Sequence, residues 1–157
     1  MHIPQRQVDF DRHLVETLAK NGPRYTSYPT ADRFHAGFNQ QHYQQALQQR
    51  NVGALNRPLS LYVHVPFCNT ICYYCGCNKI ITKDTSRADD YIEYLGRELD
   101  LIAPHLQGQH QLSQLHFGGG TPTFLSDAQL ARVFEHIKRH FKFTPRGEYS
   151  IEIDPRK

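Results

Sequence analysis

Three short alternations of apolar and polar residues, separated by two long helical repeats, constrain this chain more than anything else in it. LSLYVHV (59–65), LSQLHF (112–117) and EYSIEI (148–153) read as strands with a period of two. Between the first two, residues 86–106 carry Tyr91, Ile92, Leu95, Leu99, Ile102 and Leu106 at helical spacing. Between the second and third, residues 126–141 carry Leu130, Val133, Phe134, Ile137 and Phe141 in the same way. Ser86 and Ser126 stand at the N-cap positions, with Asp89 at the capping-box position of the first helix. The order β-α-β-α-β calls for parallel strands joined by right-handed helical crossovers, which is an α/β fold. Laid side by side in chain order, the first and third strands are its edges.

Parallel strands are usually apolar on both faces, and these are not. Leu61, Val63 and Val65 alternate with Tyr62 and His64; Leu115 and Phe117 alternate with Gln114 and His116. Tyr149, Ile151 and Ile153 alternate with Ser150, Glu152 and Asp154. The helices can cover the apolar faces. The polar faces then line something wet or liganded, as the inside of a barrel does around a polar cofactor.

Ahead of the first strand the pattern is looser. Residues 9–20 read as a short helix capped by Asp9 and stopped by Gly22-Pro23. GPRYTSYPT (22–30) reads as an extended segment. The Gln-rich residues 40–50 read as a surface helix with Tyr43, Ala46 and Leu47 turned inward. The expected division is an N-terminal helical and extended segment over 1–57 and an α/β unit over 58–157. A net charge of +3, spread along the chain, gives no basic patch for nucleic acid. No apolar run approaches the roughly 18 residues of a membrane span, and the N-terminus lacks a signal-peptide core. A cytoplasmic location follows as the default, with reduced thiols.

All four cysteines fall in CNTICYYCGC, residues 68–77, directly after the first strand. The spacing is Cys-x3-Cys-x2-Cys-x-Cys. Disulfides in so short a loop would be strained. Zinc suits four thiolates, but Cys75 and Cys77, separated by one residue, reach a single ion awkwardly together with the other two. Three cysteines at x3 and x2 spacing can instead hold a [4Fe–4S] cluster and leave one iron open. Spacing alone leaves both metals possible. Gly118-Gly119-Gly120-Thr121 ends the second strand, where glycine lets the backbone approach a ligand closely and offers unhindered N–H groups.

Cys68, Cys72 and Cys75, with Tyr74 before the third, resemble the radical S-adenosylmethionine (radical SAM) signature. GPRYTSYPT, LSLYVHVPFC, CGCNKI, LHFGGGTPT and SIEIDPR occur in the order seen in the oxygen-independent coproporphyrinogen III oxidase family. The resemblance implies the N-terminal part of a partial (βα)6, TIM-like radical SAM barrel, preceded by N-terminal helices. It implies an enzyme that turns propionates of coproporphyrinogen III into vinyl groups by way of a 5′-deoxyadenosyl radical, giving protoporphyrinogen IX. The cofactors it implies are a [4Fe–4S] cluster and two molecules of S-adenosylmethionine, and the partners an electron donor and an electron acceptor. By the resemblance Cys68, Cys72 and Cys75 hold the cluster. Tyr62, Gly119, Gly120, Thr121 and Glu152 contact S-adenosylmethionine, with Tyr74 and the Gly120-Thr121 turn toward a second molecule. Cys77 and His64 are the catalytic candidates, and Arg24 lies in a shared motif. Family members continue for three further strands and a helical domain, so an N-terminal piece is the expectation. The alternative is an iron–sulfur or haem-binding module of the haem-chaperone kind; Cys77 favours the oxidase.

Overall fold

The structure is a computed structural model that describes residues 10–19, 30, 33–49, 58–106 and 110–155. The chain divides into two compact units, Met1–Asn39 and Gln40–Lys157. In the first, α1 runs from Arg12 to Leu18 and is capped by Asp11, whose carboxylate accepts from the Leu14 N–H at 3.0 Å. The helix expected over 9–20 is therefore shorter, and its cap is Asp11. Asp9, Gly22, Pro23 and Arg24 lie outside the described residues.

The second unit opens with α2 (Gln40–Gln49). Leu47 is its apolar contact to the core, while Tyr43 and Ala46 are exposed, against expectation. The reason is visible at Gln44, which takes the inward line and meets His105 Nε2 at 3.3 Å. The strands follow as β1 (Leu59–Val65), the two-residue β2 (Phe67–Cys68) and β3 (Ile80–Ile81), β4 (Gln111–Gly119) and β5 (Lys142–Ile151). The crossover helices are α3 (Arg87–Ile102) and α4 (Asp127–His140). β1, β4 and β5 make one parallel sheet in that order, as the β-α-β-α-β pattern requires.

The core lies between this sheet and its two helices. Val65, Leu112, Ile92, Val133 and Ile137 have no exposure at all. Each such side chain contributes about 1.5–3 kcal/mol by leaving water. The helical stripes read from sequence face the core: Ile92, Leu99, Leu106, Val133, Ile137 and Phe141 are buried, and Tyr91, Leu95, Ile102, Leu130 and Phe134 are half-buried against them. α4 starts with a full capping box between Ser126 and Gln129. α3 does not: Ser86 has helical backbone angles, and its N–H and hydroxyl both donate to Asp84. Asp89 is drawn instead to Arg132 and Gln129 of α4. α3 also stops at Ile102 rather than 106, because Pro104 has no N–H to continue it and the chain tightens into a 3₁₀ turn over Ala103–His105.

β5 begins six residues before the expected 148. Lys142 and Phe143 pair with Gln111 and Leu112, then Glu148 pairs with Gln114, so Thr144–Gly147 bulge opposite Ser113. The Tyr149 hydroxyl closes the bulge on the carbonyls of Thr144 (2.7 Å) and Leu112 (3.2 Å). No helix among the described residues is long and apolar enough to cross a membrane.

Candidate active site

The cysteine loop leaves the C-terminal end of β1 and is fixed on both sides at its base. On one side the Ile80 N–H donates to Pro66 O (2.7 Å) and the Thr82 N–H to Cys68 O (2.9 Å). On the other, the Gly120 N–H donates to Val65 O and the Thr121 N–H to Phe67 O, both at 2.8 Å. Residues 65–68 are thus a central ribbon between β3 and the glycine turn. The Thr121 hydroxyl donates to Cys68 Sγ at 3.6 Å. Cys68 is buried, Cys72 and Cys75 are half-buried, and Cys77 is exposed; all four are free thiols. A turn closed by Cys75 N–H to Cys72 O (3.1 Å) keeps the middle pair together.

A cavity of about 610 Å³ opens here, at the C-terminal ends of the strands. All four cysteines, Tyr74, Gly119, Gly120, Thr121 and Glu152 line it. The glycines serve close approach. Gly119 has φ +111°, a conformation glycine adopts without strain. A Cβ on Gly120 would lie 2.8 Å from each of Cys68 Sγ, Phe67 O and Pro66 O. The N–H groups of Gly120 and Thr121, expected to face a ligand, are engaged with the ribbon instead.

Tyr62 and His64 do not line the cavity. They stand on the adjoining polar face of the sheet, linked to each other and to the loop. His64 Nε2 lies 2.8 Å from the Asn78 carbonyl, and its Nδ1 lies 3.0 Å from the Tyr62 hydroxyl. A carbonyl only accepts, so Nε2 carries the proton and Nδ1 of the neutral ring receives the Tyr62 O–H. The Tyr62 ring stacks on His116, which reaches Glu152. Loss of solvation, then Glu152 and Cys77, push the Tyr62 phenol above its ordinary range. Desolvation, followed by Cys75, Glu152 and Cys68, does the same to the Cys77 thiol. Sequence reads Tyr91 only as part of a helical stripe and Ser150 only as a polar-face residue, and it does not single out Asn78. Strand parity places Ser150 on the polar face; Asn78 acts through its backbone, which residue type does not reveal.

The donor chemistry fits an iron–sulfur cluster. Thiols are its ligands, and four of them face one cavity. Among the described residues no three His, Cys, Asp or Glu side chains converge as they would round a single ion.

No family model matches the chain. Curated relatives do. The chain is 47% identical over 151 residues to the oxygen-independent coproporphyrinogen III oxidase of Escherichia coli, covering 96% of this chain and 32% of that protein. The enzyme of the same name from Pseudomonas aeruginosa is also 47% identical, over 95% of this chain and 32% of the relative. The chain thus spans about a third of the length of these two relatives. One from Mannheimia haemolytica is 40% identical, over 95% of this chain and 99% of its own length. Among solved structures, Escherichia coli coproporphyrinogen III oxidase, described as a radical SAM enzyme, matches with a TM-score of 0.79 and 44% identity. That match covers 97% of this chain and 32% of the other. Parallel sheet, cysteine loop and glycine turn together match part of a radical SAM α/β fold. Within that class, the chain belongs to the oxygen-independent coproporphyrinogen III oxidase family.

Proposed function

We propose that this chain provides the cluster-binding and S-adenosylmethionine-binding site of an oxygen-independent coproporphyrinogen III oxidase, working in a reducing, cytoplasmic setting. The observation that carries the reading is the meeting of the cysteine loop, the glycine turn and Glu152 on one cavity. Bound there, the cluster would pass one electron from the donor to S-adenosylmethionine, and the resulting 5′-deoxyadenosyl radical would take a hydrogen atom from a propionate of coproporphyrinogen III, which then loses carbon dioxide and gives one electron to the acceptor as the vinyl group forms. Cys68, Cys72 and Cys75 would hold the cluster, leaving one iron without a protein ligand. Gly119, Gly120 and Thr121 would let S-adenosylmethionine lie against the backbone. Glu152, an acceptor-only carboxylate on the cavity wall, would take hydrogen bonds from the cofactor's hydroxyl or ammonium groups. Tyr62 would brace this carboxylate, and Tyr74 would face a second S-adenosylmethionine. Cys77 lies beside Cys75, with Gly76 between them in the chain, and would be free for the substrate side of the cavity. His64 would hold the loop in place from below, so its role is exerted through Asn78. An electron donor and an electron acceptor complete the partners.

Anaerobic reconstitution with iron and sulfide tests the reading. About four irons per intact chain are expected. Cys68→Ala, Cys72→Ala or Cys75→Ala should each abolish incorporation, whereas Cys77→Ser should retain it. Stoichiometric zinc requiring all four thiols would overturn the cluster assignment.

A further inference from the structure

The polar face holds side chains that neither the loop nor the cavity accounts for, His116 among them. His116 sits at the centre of the sheet, in register with Tyr62 on β1 and Ser150 on β5. Its Nδ1 lies 2.8 Å from Ser150 Oγ, and its Nε2 lies 3.3 Å from Glu152 Oε1. Its ring stacks on Tyr62, with centroids 5.7 Å apart and planes inclined by 17°. An ionised carboxylate can only accept, so Nε2–H points to Glu152. In the neutral ring Nδ1 then accepts the Ser150 hydroxyl, which fixes the tautomer. The three side chains close over Gly118. A Cβ there would lie 2.9 Å from Tyr62 Cε2, 3.0 Å from His116 Nε2 and 3.1 Å from Glu152 Oε1.

Glu152 needs such a partner. It lies one residue past the end of β5, and its side chain is 55% exposed. A half-exposed glutamate is free to spread over several rotamers, and a ligand that uses it must then order it at an entropic cost. A ring held by Ser150 behind and Tyr62 on its face removes that freedom beforehand.

We propose that His116 is a positioning residue that holds the Glu152 carboxylate, through Nε2–H, in the orientation in which it receives S-adenosylmethionine. This rests on the reading of Glu152 as a cofactor contact. His116 itself touches no reacting group; its effect passes through Glu152 and through the Tyr62 ring.

Equilibrium dialysis of S-adenosylmethionine against the reconstituted chain tests it, with iron content and the unfolding transition measured on each variant. His116→Phe keeps the ring that stacks on Tyr62 and removes both nitrogens. It should raise Kd about tenfold, the loss typical of one hydrogen bond to a charged group, with iron unchanged. His116→Gln restores a donor near the Nε2 position and should bring binding back to within about threefold of the unsubstituted chain. A merely structural histidine would not be rescued this way. Combined with Glu152→Gln, His116→Phe should add no further loss, since both act through one carboxylate. Should His116→Phe lose iron or its cooperative transition, Ser150→Ala decides instead, because it frees Nδ1 while leaving the ring; about threefold weaker binding is expected. Unchanged binding in His116→Phe, or in Ser150→Ala where that variant decides, beside weakened binding in Glu152→Gln overturns the role of His116 alone. So do losses that add in the double variant. Unchanged binding in Glu152→Gln, or none by the unsubstituted chain, overturns the reading of Glu152 and this proposal with it.

Discussion

Two glycines of the site, Gly120 and Gly76, face opposite consequences from the same added methyl group. At Gly120 a Cβ would meet two backbone carbonyls and the Cys68 sulfur at 2.8 Å, and backbone does not yield as a side chain would. To relieve the overlap the turn must retreat from residues 65–68, breaking the hydrogen bonds from Gly120 and Thr121 that fix the base of the cysteine loop. At Gly76, inside the loop, nothing stands within 4 Å of the added atom. Gly120→Ala should therefore cost about 1–3 kcal/mol, as overpacking usually does, and lower iron incorporation. Gly76→Ala should leave both unchanged. Iron per chain and the midpoint of thermal unfolding, measured on the pair, check this; equal behaviour would mean that the turn does not fix the loop. Gly119 combines both difficulties. Its Cβ would lie 2.9 Å from the His64 ring, and its φ of +111° disfavours any side chain. Gly119→Val would thus disturb the His64–Asn78 contact as well as the cavity wall.

At the scale of elements, α3 is tied to β1 by one phenol. The Tyr91 hydroxyl donates to the His64 carbonyl at 2.7 Å, and its ring meets Phe67 edge-on. Burial first, then Glu98 and Tyr62, push its pKa from 10.0 up to about 12. The fold thus favours the neutral phenol. Its contribution is whole below pH 10.0, where the phenol is neutral in both states, and is lost as pH rises toward about 12. Alkaline unfolding should therefore show a fall in stability over that window. Tyr91→Phe should remove that fall and cost about 1 kcal/mol at neutral pH, the usual worth of one hydrogen bond. A Phe variant that keeps the same alkaline slope would assign it to another group. The sequence revealed the apolar side of this element and little of its polar side. Tyr91, Ile92, Leu95 and Leu99 announce themselves by spacing, because burial is periodic. That the Tyr91 hydroxyl ends on a strand carbonyl, or that Ser86 turns to Asp84 instead of capping the helix, depends on competing partners that no period records. The same divide runs through the site. Cysteine spacing, the glycine run and Glu152 are legible as residue types; the engagement of the Gly120 and Thr121 N–H groups, and the anchoring of His64 on Asn78, pass through backbone atoms. β5 started early because the Thr144–Gly147 bulge lets Lys142 and Phe143 pair, which alternation alone cannot foresee.

At the scale of the whole molecule, the sheet order leaves two edges among the described residues. β4 is paired on both sides, whereas β1 and β5 are each paired on one side in the three-stranded sheet. β5 is the more exposed of the two. Tyr149 and Ile151, on the face that carries the buried Leu115 and Phe117, are each 43% exposed, and Ile153 is 65% exposed. An apolar groove of about 260 Å³ runs between this strand and Leu130 and Phe134 of α4. An open strand edge beside uncovered apolar side chains is a template for association with another chain. A complete domain of this size buries only about 70% of its unfolded surface, and net stability is commonly just ~5–15 kcal/mol. Leaving such a face in water removes a material share of that margin. The 157-residue chain by itself should therefore self-associate, and its unfolding midpoint should rise with protein concentration. Ile151→Lys puts a charge on the exposed face next to the edge and should shift the population toward monomer without disturbing the buried core. Light scattering and thermal unfolding at several concentrations read both effects. A monomer whose transition does not move with concentration would mean that the β5 edge is closed within the chain itself.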